Sequence, residues 1–211
     1  SLIGLALAFL PLPSTPGRTA DARKALFDAV IDFNADGAVD RAVLVVSPPS
    51  DPDWSPEGGF AYPLQRPGEE VELFLYLGGG AAPLDIGTPP SFRAAYLVDE
   101  GRFSWVQPLE VAPKGSLKLT TAYAPGASDT AEQTLTIAWR KGEPMVVGYT
   151  IGWERRDGAG TCDVNLATGK ALLFDGIELS GPAKRLKGRF RPVPLRQWSE
   201  QTRPKVCDGL G

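Results

Sequence analysis

Apolar and polar residues alternate with a period of two along much of the chain. The clearest case runs through Leu135, Ile137 and Trp139, with Thr134, Thr136, Ala138 and Arg140 between them. After Lys141-Gly142-Glu143 the alternation resumes, with Val147, Tyr149, Ile151 and Trp153 set against Gly148, Thr150 and Gly152. Successive side chains of a strand point to opposite faces, so each run reads as a half-buried strand. The glycine-containing turn between them makes the pair a hairpin. Similar runs predict strands over 25–31, 41–46, 70–77, 92–98, 115–122, 163–166, 170–174 and 184–190. Asp175-Gly176 reads as a tight turn into a short strand at 177–179. Residues 20–30 also suit a short helix, but the segment that follows favours a strand there.

Two long connections interrupt these strands. Residues 47–68 are rich in Pro, Asp and Gly and carry Trp54, Phe60 and Tyr62; residues 78–90 contain Gly78-Gly79-Gly80 and Pro89-Pro90. Connections this long are usually functional or packed down by their own side chains. No repeat of 20–50 residues is visible, which argues against a propeller or solenoid. The expected fold is mainly β: a single-domain antiparallel β-sandwich, or a partly open barrel, with long loops over 23–211.

Composition narrows the chemistry. The 211 residues include 24 Gly, 20 Pro, two Cys and no His. Without imidazole there is no His-ligated zinc or haem, and no nucleophile activated by a histidine base. The net charge of −3 gives no reason to expect a nucleic-acid partner. Residues 1–22 read as a signal-peptide remnant. Leu2 to Leu12 is an uncharged apolar run too short to span a bilayer, Ala20-Asp21-Ala22 fits a small-x-small cleavage site, and the basic n-region is missing. Export to the periplasm or exterior of a Gram-negative bacterium fits the cysteine usage. Cys162 and Cys207 pair most simply as a disulfide that pins the C-terminal tail, the alternative being two free buried thiols.

One segment carries a mechanism. Residues 32–40 read D-x-N-x-D-G-x-x-D. Calcium takes six to eight oxygen ligands, and a tight loop can offer side-chain oxygens from positions 1, 3 and 5. Those positions are Asp32, Asn34 and Asp36. Gly37 permits the sharp turn, Ala38 offers its carbonyl, and Asp40 can add a further carboxylate. An EF-hand needs a bidentate Glu at position 12, where Val43 stands, and strand-like runs flank the loop on both sides. The same residues also suit an acidic Asx/Gly turn without a metal.

The stretch ALFDAVIDFNADGAVDRAVLVV resembles the strand–loop–strand calcium loop of FG-GAP/VCBS-type modules, present here as a single copy. The resemblance implies Ca²⁺ held by Asp32, Asn34, Asp36, Asp40 and the Ala38 carbonyl. It covers about 20 residues, and the propeller those modules usually build does not carry over. The C-terminal run GYTIGW…CDVNLATGKALLF…PLRQWSE…VC is similar to secreted alphaproteobacterial proteins of no assigned activity.

Other constellations are weaker. Gly169-Lys170 lacks the upstream glycine and the following Ser or Thr of a phosphate loop. Glycan hydrolysis needs only two carboxylates; Glu110, Glu132, Glu143 and Glu154 are candidates, though nothing in the sequence gathers a pair. Lys184, Arg185, Lys187, Arg189, Arg191 and Arg196 form a basic run that suits an anionic surface such as lipid, lipopolysaccharide or glycan. The same charges also suit a solvated edge strand. Trp139 and Trp153 are in phase with core positions, whereas Trp54 and Trp105 sit in loop-like contexts. The expectation is an exported, non-enzymatic structural or binding protein with a calcium loop. Its partner would be an unspecified protein or glycan. The alternatives are a carboxylate-based hydrolase of envelope glycan and a binder of anionic surfaces.

Overall fold

The computed structural model describes residues 23–49, 53–55, 61–65, 67–98, 103–126, 129–199 and 201–208. The leader at 1–22 and Phe60 lie outside them. Fourteen strands form two antiparallel sheets among the described residues. The smaller sheet contains β1 (Lys24–Ile31), β2 (Asp40–Ser47), β4 (Glu70–Tyr76) and β5 (Phe92–Val98), in the order β1-β2-β4-β5.

The larger sheet takes β3 (Tyr62–Leu64), β6 (Phe103–Val106), β8 (Ser116–Gly126), β9 (Asp129–Arg140), β10 (Glu143–Arg155), β11 (Gly158–Asn165), β12 (Lys170–Asp175) and β13 (Ala183–Leu186). Their order is β13-β12-β11-β10-β9-β8-β6-β3. Two short strands attach to it: β7 (Glu110–Ala112) pairs with β8, and β14 (Val193–Pro194) with β10. The described strands do not close into a barrel, and the two sheets share one core.

That core follows from the period-two pattern. Ala42, Leu44 and Val46 of β2 and Val71, Leu73 and Leu75 of β4 meet Leu117, Leu119, Leu135, Ile137, Tyr149 and Val164 of the larger sheet. β2 is apolar on both faces because its outer face is covered as well. Val43, Val45 and Phe74 pack there with Ile86 from the β4–β5 connection, and the Arg93 guanidinium lies 5.4 Å from the Phe74 ring centroid.

The predicted hairpin is β9–β10. Lys141 (φ +54°) and Gly142 (φ +84°) form its two-residue turn, with the left-handed pair that matches strand twist. A bulge between Val146 and Gly148 shifts the phase of the alternation. Val146 therefore faces the core, and the extra residue, Val147, turns its carbonyl to the Leu166 and Ala167 amides.

Some predicted strands differ from the structure. Residues 177–179 do not form a strand; they belong to the exposed β12–β13 connection. β13 stops at Leu186 instead of running to 190, since Gly188 within that range does not support a continuous ladder. The 47–68 connection contains β3, and its two described aromatics, Trp54 and Tyr62, pack inward. Trp54 stands edge-on between Phe27 and Tyr62, with centroids 5.3 and 5.1 Å away. The Tyr62 hydroxyl donates to Glu69 Oε1 at 3.2 Å, and Glu69 Oε2 accepts the Gln65 amide at 2.7 Å. Trp105 lies within β6.

Candidate metal loop and basic edge

The 32–40 loop joins β1 to β2, as the sequence predicts. Two residues fasten it to the fold. Phe33 is buried between the sheets, with its ring centroid 6.1 Å from that of Trp139. Asp40 is fully buried, at 0 % exposure. Its Oδ2 accepts the Phe33 amide at 2.9 Å and the Asn34 amide at 3.4 Å, and its Oδ1 accepts the Gly78 amide at 2.8 Å. Asp40 thus ties its own loop to the β4–β5 connection. Burying a carboxylate is costly unless it is hydrogen-bonded, and here backbone amides engage both oxygens.

The Gly78-Gly79-Gly80 run is the other half of this junction. The Gly80 amide donates to the Val39 carbonyl at 2.8 Å. Arg41 Nη2 donates to the Gly80 and Ala82 carbonyls at 3.1 and 3.0 Å. A Cβ at Gly80 would fall 2.5 Å from Val39 Cγ1 and 2.8 Å from the Val39 and Asp40 carbonyl oxygens. The two connections can approach this closely only because residue 80 has no side chain.

The mouth of the loop is exposed. Ala35 (φ +59°) and Gly37 (φ +87°) adopt left-handed conformations that fold it tightly. Asp32 Oδ1 and Asn34 Oδ1 both accept the Asp36 amide, at 3.2 and 3.1 Å, so oxygens from positions 1 and 3 converge on one point. Asp32 Oδ2 accepts the Gly37 amide at 3.1 Å. Asp36 Oδ1 accepts the Ala38 amide at 2.8 Å, and Asp36 Oδ2 accepts Asn34 Nδ2 at 2.7 Å. The Ala38 amide, and after it the Asn34 side chain, hold the Asp36 carboxyl below its ordinary range.

The fit to a hard cation is therefore partial. Positions 1, 3 and 5 bring Asp32, Asn34 and Asp36 to one exposed mouth, and an oxygen that accepts one N–H keeps a lone pair. Asp40 is turned inward. Among the described residues no three Asp, Glu, His or Cys side chains gather in a metal-ligating arrangement.

Cys162 and Cys207 form a disulfide, with Cα atoms 5.8 Å apart. Cys162 lies on β11, and Cys207 lies in the short 3₁₀ turn Lys205–Cys207. The bond ties the tail to the larger sheet, as the pairing of the only two cysteines predicts.

Of the four acidic candidates for hydrolysis, Glu110 and Glu143 stand apart, and Glu132 and Glu154 are neighbours on an open sheet face. Glu110 pairs with Lys118 at 3.3 Å on β7 and β8. Glu143 starts β10, whereas Glu154 lies near its far end. Glu132 is opposite Gly152, and Glu154 is opposite Thr130. Those two carboxylates are diagonal neighbours, and both are exposed on the outer sheet face.

The basic run divides. Lys184 and Arg185 lie on β13, the last strand of the larger sheet, and Lys187, Arg189 and Arg191 follow on the irregular segment beyond it. All five are exposed. Arg196 is set apart, its guanidinium 4.3 Å from the Phe92 ring centroid. No helix among the described residues is long and apolar enough to cross a membrane.

Comparison with protein-family models, with curated proteins and with solved structures returns no match for this chain.

Proposed function

We propose that this protein is an exported, non-enzymatic β-sandwich domain whose β1–β2 loop binds calcium as a structural staple. The observation that carries the reading is the convergence of Asp32 and Asn34 oxygens on the Asp36 amide at an exposed, tightly turned mouth. Asp32, Asn34 and Asp36 would hold the ion through side-chain oxygens, and Ala38 would add its carbonyl. Asp40 holds the loop in shape from inside. A bound calcium supplies charge neutralisation and cross-linking of the loop, and no reaction is assigned to it. Two carboxylates at the mouth make a weak site, with a dissociation constant of about 10⁻⁴–10⁻³ M, the range of extracellular modules. The disulfide supports an oxidising compartment and hence export.

The test is a thermal melt in 10 mM CaCl₂ against EDTA, with MgCl₂ as control. A site with a Kd of about 1 mM stabilises by about 1.4 kcal/mol at that concentration. In a chain of this size that raises Tm by about 3–6 °C. Asp32→Asn combined with Asp36→Asn should remove the increment. Equal melts in calcium and EDTA would refute the staple.

A further inference from the structure

The β12–β13 connection exposes two large aliphatic side chains one residue apart, whereas Val30, Val39, Leu84 and Val111 are exposed on other elements. Ile177 is 63 % exposed and Leu179 is 55 % exposed, the highest values among the large exposed hydrophobics of the described residues. The connection is held at its base. The Gly176 amide donates to the Ala159 carbonyl at 3.1 Å, and Thr161 Oγ1 donates to the Gly176 carbonyl at 2.9 Å. Ser180 Oγ donates to Glu178 Oε2 at 3.0 Å within the tip. Ile177 and Leu179 are therefore presented on an anchored tip instead of folding back onto the sheet.

Immediately beyond the tip runs the basic edge. None of Lys184, Arg185, Lys187, Arg189 and Arg191 forms an ion pair among the described residues. Between 175 and 191 these five cations stand against only two acids, Asp175 and Glu178. Charges that merely block strand pairing explain a basic edge. They do not explain two exposed aliphatic side chains at its end.

We propose that the β12–β13 tip and the basic segment 184–191 form a peripheral docking surface for an anionic phospholipid bilayer. Ile177 and Leu179 enter the interfacial region, and the cations face the headgroups. A bilayer rewards both features at once: apolar side chains gain by leaving water, and each cation near an anionic surface adds attraction. A soluble glycan polyanion would use the cations but leave the aliphatic pair in water. Strands rise by about 3.3 Å per residue, so the chain from Leu179 to Lys184, the first cation, spans at most about 16 Å. This proposal is independent of the calcium loop, which lies on the β1–β2 connection.

The test is co-sedimentation of the full chain with vesicles of phosphatidylcholine containing phosphatidylglycerol, against vesicles of phosphatidylcholine alone. EDTA is present throughout, so that calcium cannot bridge protein to lipid. Binding is expected only to the anionic vesicles and should fall as NaCl rises from 0.1 to 0.5 M. Lys187→Ser, Arg189→Ser and Arg191→Ser together should lower partitioning roughly a hundredfold, at about fivefold per cation. Ile177→Ser with Leu179→Ser should lower it by roughly tenfold or more. All five positions are exposed or part-exposed loop sites, and unchanged melts would show that the variants fold. Wild type that stays in the supernatant with anionic vesicles overturns the proposal. So does sedimentation indifferent to the tip substitutions. Heparin binding with wild-type affinity by the tip variant, together with no vesicle binding by wild type, would assign the edge to polyanionic glycan instead.

Discussion

Replacing Asp40 by Asn should destabilise the fold far more than its single-atom change suggests. Asp40 offers two acceptor oxygens to donors on opposite sides: Oδ2 to the Phe33 and Asn34 amides, and Oδ1 to the Gly78 amide. An asparagine has one acceptor and one NH₂ donor. Whichever way its amide is turned, the NH₂ meets a backbone N–H, and one side of the junction loses its acceptor inside the protein. A hydrogen bond to a charged group contributes about 1.5–3 kcal/mol, and a buried donor left unsatisfied costs about 1–3 kcal/mol. A total near 3 kcal/mol is expected, equivalent to a fall in Tm of about 6–12 °C for a chain of this length. The assay is thermal and urea unfolding followed by far-UV circular dichroism in EDTA, so that no divalent cation contributes. Asp32→Asn is the control, because Asp32 lies at the exposed mouth. A Tm change below about 2 °C for Asp40→Asn, or one no larger than that of Asp32→Asn, would refute the fastener role.

Three further outcomes follow from the same geometry. Reducing Cys162–Cys207, or replacing both residues by Ala, should lower stability by about 4 kcal/mol in the chain-entropy picture for a sequence separation of 45; equal urea midpoints for oxidised and reduced protein would contradict this. Gly80→Ala should cost about 1–3 kcal/mol, since its Cβ would overlap the Val39 and Asp40 carbonyl oxygens; an unchanged melt would mean that the junction is looser than described. Burial, partly countered by the Thr121 side chain, holds the Tyr96 hydroxyl well above its ordinary pKa of 10.0. The proton is bound more tightly in the folded state, so its stabilising contribution is complete below pH 10 and is lost as pH rises towards the folded-state pKa. Tyr96→Phe should flatten that alkaline decline in urea midpoints, and an identical decline in both proteins would contradict the assignment.

Local pattern was legible in the sequence wherever one strand's own alternation decided its structure. β9 and β10 are long, alternate cleanly and meet at a two-residue turn, so their pairing is encoded nearby. The β1–β2 loop is equally local, with its turn set by Asp32, Asn34, Asp36 and Gly37. β3, β6, β7 and β14 were not legible. They are two to four residues long; β3, β6 and β14 exist because a strand distant in sequence pairs with them, and β7 is three residues paired with the start of β8. The alternation Ile177-Glu178-Leu179 misled in the opposite direction: it has a strand-like pattern, but the structure leaves it in an exposed connection. Asp40 carries the sharpest lesson of the site. Its spacing suits a metal ligand, yet its partner Gly78 lies 38 residues away, and no local pattern could reveal that contact. The glycine run at 78–80 reads as a flexible loop in sequence for the same reason. Its purpose is close approach to Val39 and Asp40, which only the assembled sheet brings near.

The most direct test of the calcium reading is a titration of ¹⁵N-labelled protein with CaCl₂, followed by amide chemical shifts. Saturable shifts are expected at millimolar calcium, confined to the 32–40 loop and, through Asp40, to the adjoining 78–80 segment. These shifts should vanish in the Asp32→Asn, Asp36→Asn double variant. An unperturbed loop, or shifts spread over the acidic surface without saturation, would contradict the calcium reading.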